Sequence, residues 1–230
     1  MSQHILPGFP PITVAWRRSA RARKLSLRVS RLDGRVTLTL PRGVPDREGL
    51  SFLQSREGWL RGHLSTVAAD MRPFLGGTIL FAGVQVPILA GPVKRLSYKD
   101  NSFILPDDPA RVGPRLQAFL KTQARDRLAA ASDHYARVLG RPYGSLSLRD
   151  TRSRWGSCSS KGDLMYSWRL IMAPPEVLDY VAAHEVAHLA EMNHSDRFWA
   201  VVDRLFPAHQ DCRRWLRLNG ESLHRVKFTD

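Results

Sequence analysis

The first clear rhythm in the chain is alternation. Between Lys24 and Leu40 the apolar residues fall at every second position, Leu25, Leu27, Val29 and then Val36, Leu38, Leu40, which predicts two strands that each turn one face to a core. Asp33-Gly34 lies between them and supplies the positive-φ residues of a tight turn, so the pair forms a β-hairpin. Pro41 and Pro45 close it. Asp46 is placed to cap a helix whose inward stripe is Leu50, Leu53, Leu60 and Leu64, with Gly58 as its weak point. Short strands return at 78–81, 84–89, 95–99 and 103–105, separated by the turn pairs Ala82-Gly83, Gly91-Pro92 and Asp100-Asn101.

After Pro106-Asp107-Asp108-Pro109 the period changes. Leu116, Phe119, Leu120, Leu128, Ala131, Tyr135 and Val138 recur at helical spacing up to Gly140, so the expected boundary separates a β-rich region, 1–108, from a second domain, 109–230. Strands follow at 145–149 and 164–170, with a strand entering a polar loop at 152–160. Three helices finish the chain: one from Pro174-Pro175 to about Met192, one capped by Ser195 and running through Phe206, and one from Pro207 to Asn219-Gly220. The fold class is α+β.

Composition narrows the setting. With 230 residues, 43% of them hydrophobic, and a mean hydropathy of −0.29, the chain can bury a core yet has no apolar run near the ~20 residues of a membrane span. A membrane partner is not expected. The start, Met1 to Pro7, lacks a basic flank, an apolar stretch and a cleavage site, so a cytoplasmic location is the expectation. Cys158 and Cys212 are too few for a disulfide framework and read as free thiols.

The net charge is +14, and half of it comes from Arg17, Arg18, Arg21, Arg23, Lys24, Arg28, Arg31 and Arg35 set against Asp33 alone. Such a field attracts nucleic acid or other polyanions. It is equally what a solvated strand face looks like in a chain that uses arginine everywhere, and aromatic residues do not interleave the cluster.

The residues that carry chemistry are His184-Glu185-Val186-Ala187-His188, within the helix expected from Pro175. Positions four apart on a helix lie about 40° and 6 Å from each other, so both imidazoles reach one metal. Zinc takes neutral imidazole nitrogen, and a catalytic site needs three protein ligands and one open position. Glu185 is rotated aside from the first ligand and stands where a general base for a metal-bound water belongs. With 8 His and 6 Glu in the chain, chance supplies about 0.007 matches to this pattern, so accident is a poor explanation.

The motif supplies two ligands, and His194 is the favoured third. A helix continuing ten residues from His184 would turn His194 away, by about 280°, so the helix must end first; Met192-Asn193 is the expected place, since Asn tolerates the left-handed conformation. Asp196 and Asp203 on the next helix are the competing candidates. Cys158 is not expected to ligate, because a fourth protein ligand would close the site. Arg154–Ser159 reads either as the strand on which an extended peptide docks, with Gly156 allowing close approach, or as a tight turn packed under Trp155. Tyr166, Tyr180 and Arg154 are alternative oxyanion stabilisers. His4, His63, His134, His209 and His224 have no ligand spacing and read as surface or packing residues.

Together, Arg154-Trp155-Gly156-Ser157-Cys158-Ser159, Trp168-Arg169-Leu170, Pro174, Asp179-Tyr180-Val181, the His184 motif and Asn193-His194-Ser195 with Phe198-Trp199 resemble the YgjP-like zinc metallopeptidases, relatives of the SprT-like proteases. The likeness is strong over about residues 150–200 and more diffuse in the basic N-terminal region. It implies one zinc ion on His184, His188 and His194, with Glu185 as the catalytic carboxylate. Val186 and Ala187 depart from residues frequent in the family, and neither bears on the metal.

The resulting expectation is a zincin-like α+β catalytic region, its metal helix against a short antiparallel sheet, preceded by a β-rich region. It would hydrolyse protein or peptide bonds through a metal-bound water activated by Glu185, with Arg154, Gly156 and Ser157 lining the substrate site. The alternative is a nucleic-acid-associated protein, or a protease of DNA-bound proteins, that uses the basic N-terminal region.

Overall fold

The computed structural model describes residues 2–30, 34–65 and 70–229. The chain divides into two compact units, Met1–Asp70 and Met71–Asp230. Arg31 and Asp33 lie outside the described residues; Gly34 has the expected positive φ, 65°.

The first unit contains strands β1 (Ser2–Leu6), β2 (Ile12–Ser19), β3 (Ser26–Val29) and β4 (Val36–Pro41), then helices α1 (Asp46–Ser55) and α2 (Glu57–Ser65). Sheet order is β1-β2-β4-β3; β2 and β4 run parallel, and the other pairs are antiparallel. Ile12, Val14 and Trp16 alternate inward beside Val36, Leu38 and Leu40, and Leu53 and Leu60 cover them from the helices. A side chain at Gly49 would lie 2.7 Å from Leu40 and 2.8 Å from Trp16, so only glycine lets α1 settle on this face. The single helix expected over 46–64 is broken at Arg56, whose φ of −109° and ψ of 7° interrupt the helical path. Two arginines here are structural: Arg18 pairs with Asp46 and donates to the Arg42 and Val44 carbonyls, while Arg61 binds Glu57 and the Pro7 and Pro10 carbonyls.

The second unit opens with β5 (Thr78–Phe81), β6 (Val84–Ala90), β7 (Ser97–Lys99) and β8 (Ser102–Leu105), in the order β5-β6-β8-β7. Ala82-Gly83 and Asp100-Asn101 all take positive φ, the geometry of two-residue hairpins whose twist matches their strands. Helix α3 (Val112–Leu139) ends at Gly140, φ 75°. There follow β9 (Leu146–Arg149), β10 (Gly156–Cys158), β11 (Leu164–Ser167), a 3-10 segment at Trp168–Met172, and helices α4 (Pro175–Ala187), α5 (Asp196–Leu205) and α6 (His209–Arg225).

One core joins Ile79, Phe81, Val86, Ile88, Phe103 and Leu105 of the strands to Leu116, Leu120 and Leu128 of α3 and to α4. The observed division therefore falls after Asp70, not at the composition shift near residue 108, because the second group of strands buries its apolar face with α3. The sheet nearest α4 has the order β10-β11-β9 and is mixed rather than wholly antiparallel, since β11 and β9 run parallel. Helix α6 continues past the expected stop at Gly220, which is buried against Trp155 so closely that a side chain there would lie 2.8 Å from its ring. Among the described residues, no helix is long and apolar enough to cross a membrane.

Arg169 fastens this unit from inside. Buried at 7% exposure, it binds Asp150 through two nitrogens at 2.6 and 3.1 Å and donates to the Leu223 and Val226 carbonyls at 2.8 and 3.0 Å. The C-terminal end of α6 is thereby tied to the segments flanking β10 and α4. His224, on the same helix, stacks on Trp155 with ring centroids 4.8 Å apart.

Candidate metal centre

Helix α4 starts at Pro175, whose missing N–H costs nothing in the first turn, and is apolar nearly all round: Val177, Leu178, Tyr180, Val181, Ala182, Ala183, Val186 and Ala187 are buried. Its last turn nevertheless carries His184 and Glu185, with His188 as the C-cap. Buried polar groups on such a helix are costly unless partnered.

The helix ends at Ala187, about five residues before the expected stop at Met192-Asn193. Asn193 does not take a left-handed conformation; instead, Leu189 and Ala190 donate to the carbonyls three residues back, Val186 and Ala187, which tightens the last turn. The chain then doubles back through Glu191–Asn193 and returns His194 to the face of His184 and His188. Ser195 precedes α5, but its hydroxyl makes no capping bond.

His184 Nε2 and His194 Nε2 lie 3.1 Å apart, and one ring nitrogen from each of His184, His188 and His194 falls within 4.8 Å of the others. Ligands at 2.0–2.1 Å from a tetrahedral ion would sit about 3.3 Å apart, so the first pair already has the required spacing. His188 donates Nδ1–H to the Glu191 carbonyl at 3.0 Å; a carbonyl can only accept, so this bond leaves the Nε2 lone pair free. Burial, then the neighbouring His188 and His194, hold His184 down at a pKa of about 3; burial also lowers that of His188. Both are neutral imidazoles near pH 7, the form that binds metal. The donor set therefore fits a divalent ion.

Phe198 of α5, fully buried, is the floor of this cluster: its ring centroid lies 4.9, 4.4 and 4.8 Å from those of His184, His188 and His194. Trp199 flanks His184 and His194 at 5.9 and 6.0 Å. The sequence marked both residues only through the resemblance; the spacing that could have found Phe198 is its apolar repeat with Val202 and Leu205 on α5.

Glu185 is 6% exposed, and burial raises its pKa to about 8, partly offset by Arg154. Strand β10 passes against it so closely that a side chain at Gly156 would lie 2.5 Å from Glu185 Oε1. One cleft of about 470 Å³ is lined by Arg154, Gly156, Ser157, His184, Glu185, His188 and His194, the residues expected to form the metal and substrate site, together with Ser153, Cys158 and Met192. Among the described residues β10 is an edge strand, paired on one side only, with β11. Both readings of its sequence describe part of the geometry, since Trp155 packs on α6 while Gly156 faces the cleft.

The remaining candidates lie elsewhere. Tyr166 is fully buried with its hydroxyl on Ser132, and Tyr180 packs among His184, Phe206 and His209, outside the cleft lining. Asp203 binds His209 at 2.8 Å, and Asp196 is not in the histidine cluster. Cys158 and Cys212 are free thiols.

Among solved structures, the crystal structure of the metallopeptidase zymogen of Pyrococcus abyssi abylysin is similar at 22% identity and a TM-score of 0.36, over 40% of this chain and 95% of that one. No curated protein matches significantly. The family model described as YgjP-like, metallopeptidase domain, matches residues 23–219. That span takes in β3, β4 and both helices of the first unit as well as the histidine cluster, and by it the chain belongs to the YgjP-like metallopeptidase family, a family of peptide-bond hydrolases.

Proposed function

We propose that the protein is a zinc peptidase whose ion is held by His184, His188 and His194. The observation that carries this reading is the convergence of three imidazole nitrogens within 4.8 Å beside a buried carboxylate. Three imidazoles with no hard oxygen donor among them suit zinc better than magnesium or calcium. When bound, the ion supplies Lewis acidity, polarising the substrate carbonyl and easing deprotonation of water.

The chain's own groups do the rest. The free edge of β10 offers main-chain N–H and C=O groups to an extended peptide, which favours many sequences over one. Gly156 keeps the space next to Glu185 open to substrate backbone. Glu185 Oε accepts a proton from the attacking water and returns it to the amine that leaves; burial raises its affinity for that proton. Arg154 lines the cleft, which supports a role for its cation in stabilising charge developing on the carbonyl oxygen.

Metal analysis with a casein or peptide assay tests this. Glu185→Gln keeps zinc and loses turnover, whereas His188→Ala loses both; full activity in Glu185→Gln would discard the mechanism.

A second reading concerns the first unit. Arg17, Arg21, Arg23, Lys24 and Arg28 are exposed and form no ion pair among the described residues, which supports a nucleic-acid partner and, with it, cleavage of proteins held on DNA. Affinity for duplex DNA then falls steeply with salt, and neutralising Arg17, Arg21 and Arg23 flattens the slope by about one for each phosphate that no longer meets a cation. Binding that is absent or indifferent to salt removes this reading.

A further inference from the structure

A second cavity, of about 650 Å³, opens at the start of α6 and is lined by Trp199, Asp203, His209, Gln210, Arg213, Arg214 and Arg217. Arg213 and Arg214 each stand about one turn from Arg217 on α6, so the three share a broad face of the helix around this cavity. Their placement there concentrates positive potential in one concave spot instead of dispersing it.

The acids nearby, Asp203 and Asp211 against three arginines, offset it only in part. Asp203 accepts from His209 Nε2 at 2.8 Å, and Asp211 pairs with Arg214 at 3.3 Å, while Arg213 and Arg217 have no ion-pair partner among the described residues. Arg213 is also held in place: its guanidinium lies 4.9 Å from the centre of the Trp199 ring. A cation fixed in advance loses less side-chain entropy when an anion arrives.

The position of Trp199 gives the cavity its meaning. The same ring is 6.0 Å from His194 and 5.9 Å from His184. Arg213 is therefore no more than about 11 Å from the His194 ring, the sum of two ring separations and roughly three residues of extended chain.

Resting on the peptidase reading above, we propose that this cavity is a carboxylate subsite, in which Arg213 and Arg217 select substrates with an acidic side chain two or three residues from the bond that is cut. A guanidinium meets a carboxylate through two parallel hydrogen bonds, and one such contact needs only one free arginine. A polyanion such as nucleic acid fits less well, because Asp203 and Asp211 stand among the cations and would repel successive phosphates.

The test uses fluorogenic peptides identical except for Glu or Gln at each position within three residues of the scissile bond. At one position the parent enzyme cleaves the Glu peptide with about tenfold higher kcat/KM than its Gln partner, the effect of one charge-assisted contact. Arg213→Gln and Arg217→Gln each bring that ratio toward one; the second variant leaves the Trp199 stack untouched, so a packing defect cannot account for both. A ratio near one at every position in the parent enzyme, or a parent ratio kept in both variants, overturns the subsite. So does inhibition by inorganic phosphate or a short DNA duplex without any Glu preference, which would assign the cavity to phosphate. If no peptide is cleaved at all, the peptidase reading fails, and fluorescence anisotropy of the labelled Glu and Gln peptides on the intact protein still decides the subsite: equal binding overturns it.

Discussion

The two units carry the same net charge by sequence, +7 each, but the first spreads it over 70 residues and the second over 160. They use polar residues in opposite ways. The first unit's described core is wholly apolar, nine residues from Leu6 to Leu60, and its charged groups stay at the surface. Every buried polar or charged side chain among the described residues, Ser132, Ser167, Arg169, Glu185, His188, His209 and His224, belongs to the second. Burying such groups costs free energy unless each is bonded or held for a purpose, so their gathering in one unit locates the chemistry more sharply than net charge does.

The comparison can be broken most directly at its arginines. Arg169→Ala should cost about 3 kcal/mol, because it leaves the Leu223 and Val226 carbonyls without a donor inside the fold and takes the partner from the more exposed Asp150, whereas Arg18→Ala in the first unit should cost at most about 1 kcal/mol. Urea denaturation of both variants checks it, and equal losses would mean that burial does not separate the two units.

Gly156→Ala sharpens the same contrast inside the site. The added methyl would lie 2.5 Å from Glu185 Oε1, and moving that carboxylate by about 1 Å should lower kcat/KM by about a hundredfold with little change in metal content. A variant as active as the parent would show that β10 does not position Glu185.

Acid should act on the second unit first. Burial, then the charge of Arg169, depress the His224 pKa from 6.5 to about 4, so between those values the unfolded chain binds the extra proton and stability falls as pH falls. Asp150, held below its ordinary 3.8 by Arg169 against the opposing effect of burial, adds a further loss as pH falls below 3.8. Between pH 6.5 and pH 4 the denaturation midpoint of the parent should fall relative to that of His224→Gln, which lacks this proton site.

What could be read from the sequence was local. The spacing of His184, Glu185 and His188 needs only helical geometry, and the turn pairs Ala82-Gly83 and Asp100-Asn101 announce their own φ angles. What escaped depended on distant partners. Gly220 looks like a helix stop until Trp155 fills the space beside it, and Arg169 looks like a surface residue until Asp150 and the end of α6 close around it. The end of α4 at Ala187 has no glycine, proline or asparagine to mark it. Strand β2 is the exception, a local signal that the hairpin beside it overshadows: Ile12, Val14 and Trp16 alternate as plainly as Val36, Leu38 and Leu40. The misplaced boundary near residue 108 comes from distant partners again, since a change of period shows where strands give way to helix and not which of them share a core.

The most direct test of the account is metal stoichiometry measured together with turnover on the parent protein and Glu185→Gln. One zinc per chain in both, with turnover in the variant lower by about a thousandfold, is the predicted result. A parent enzyme that cleaves peptides without bound metal, or a variant that keeps full turnover, would contradict it.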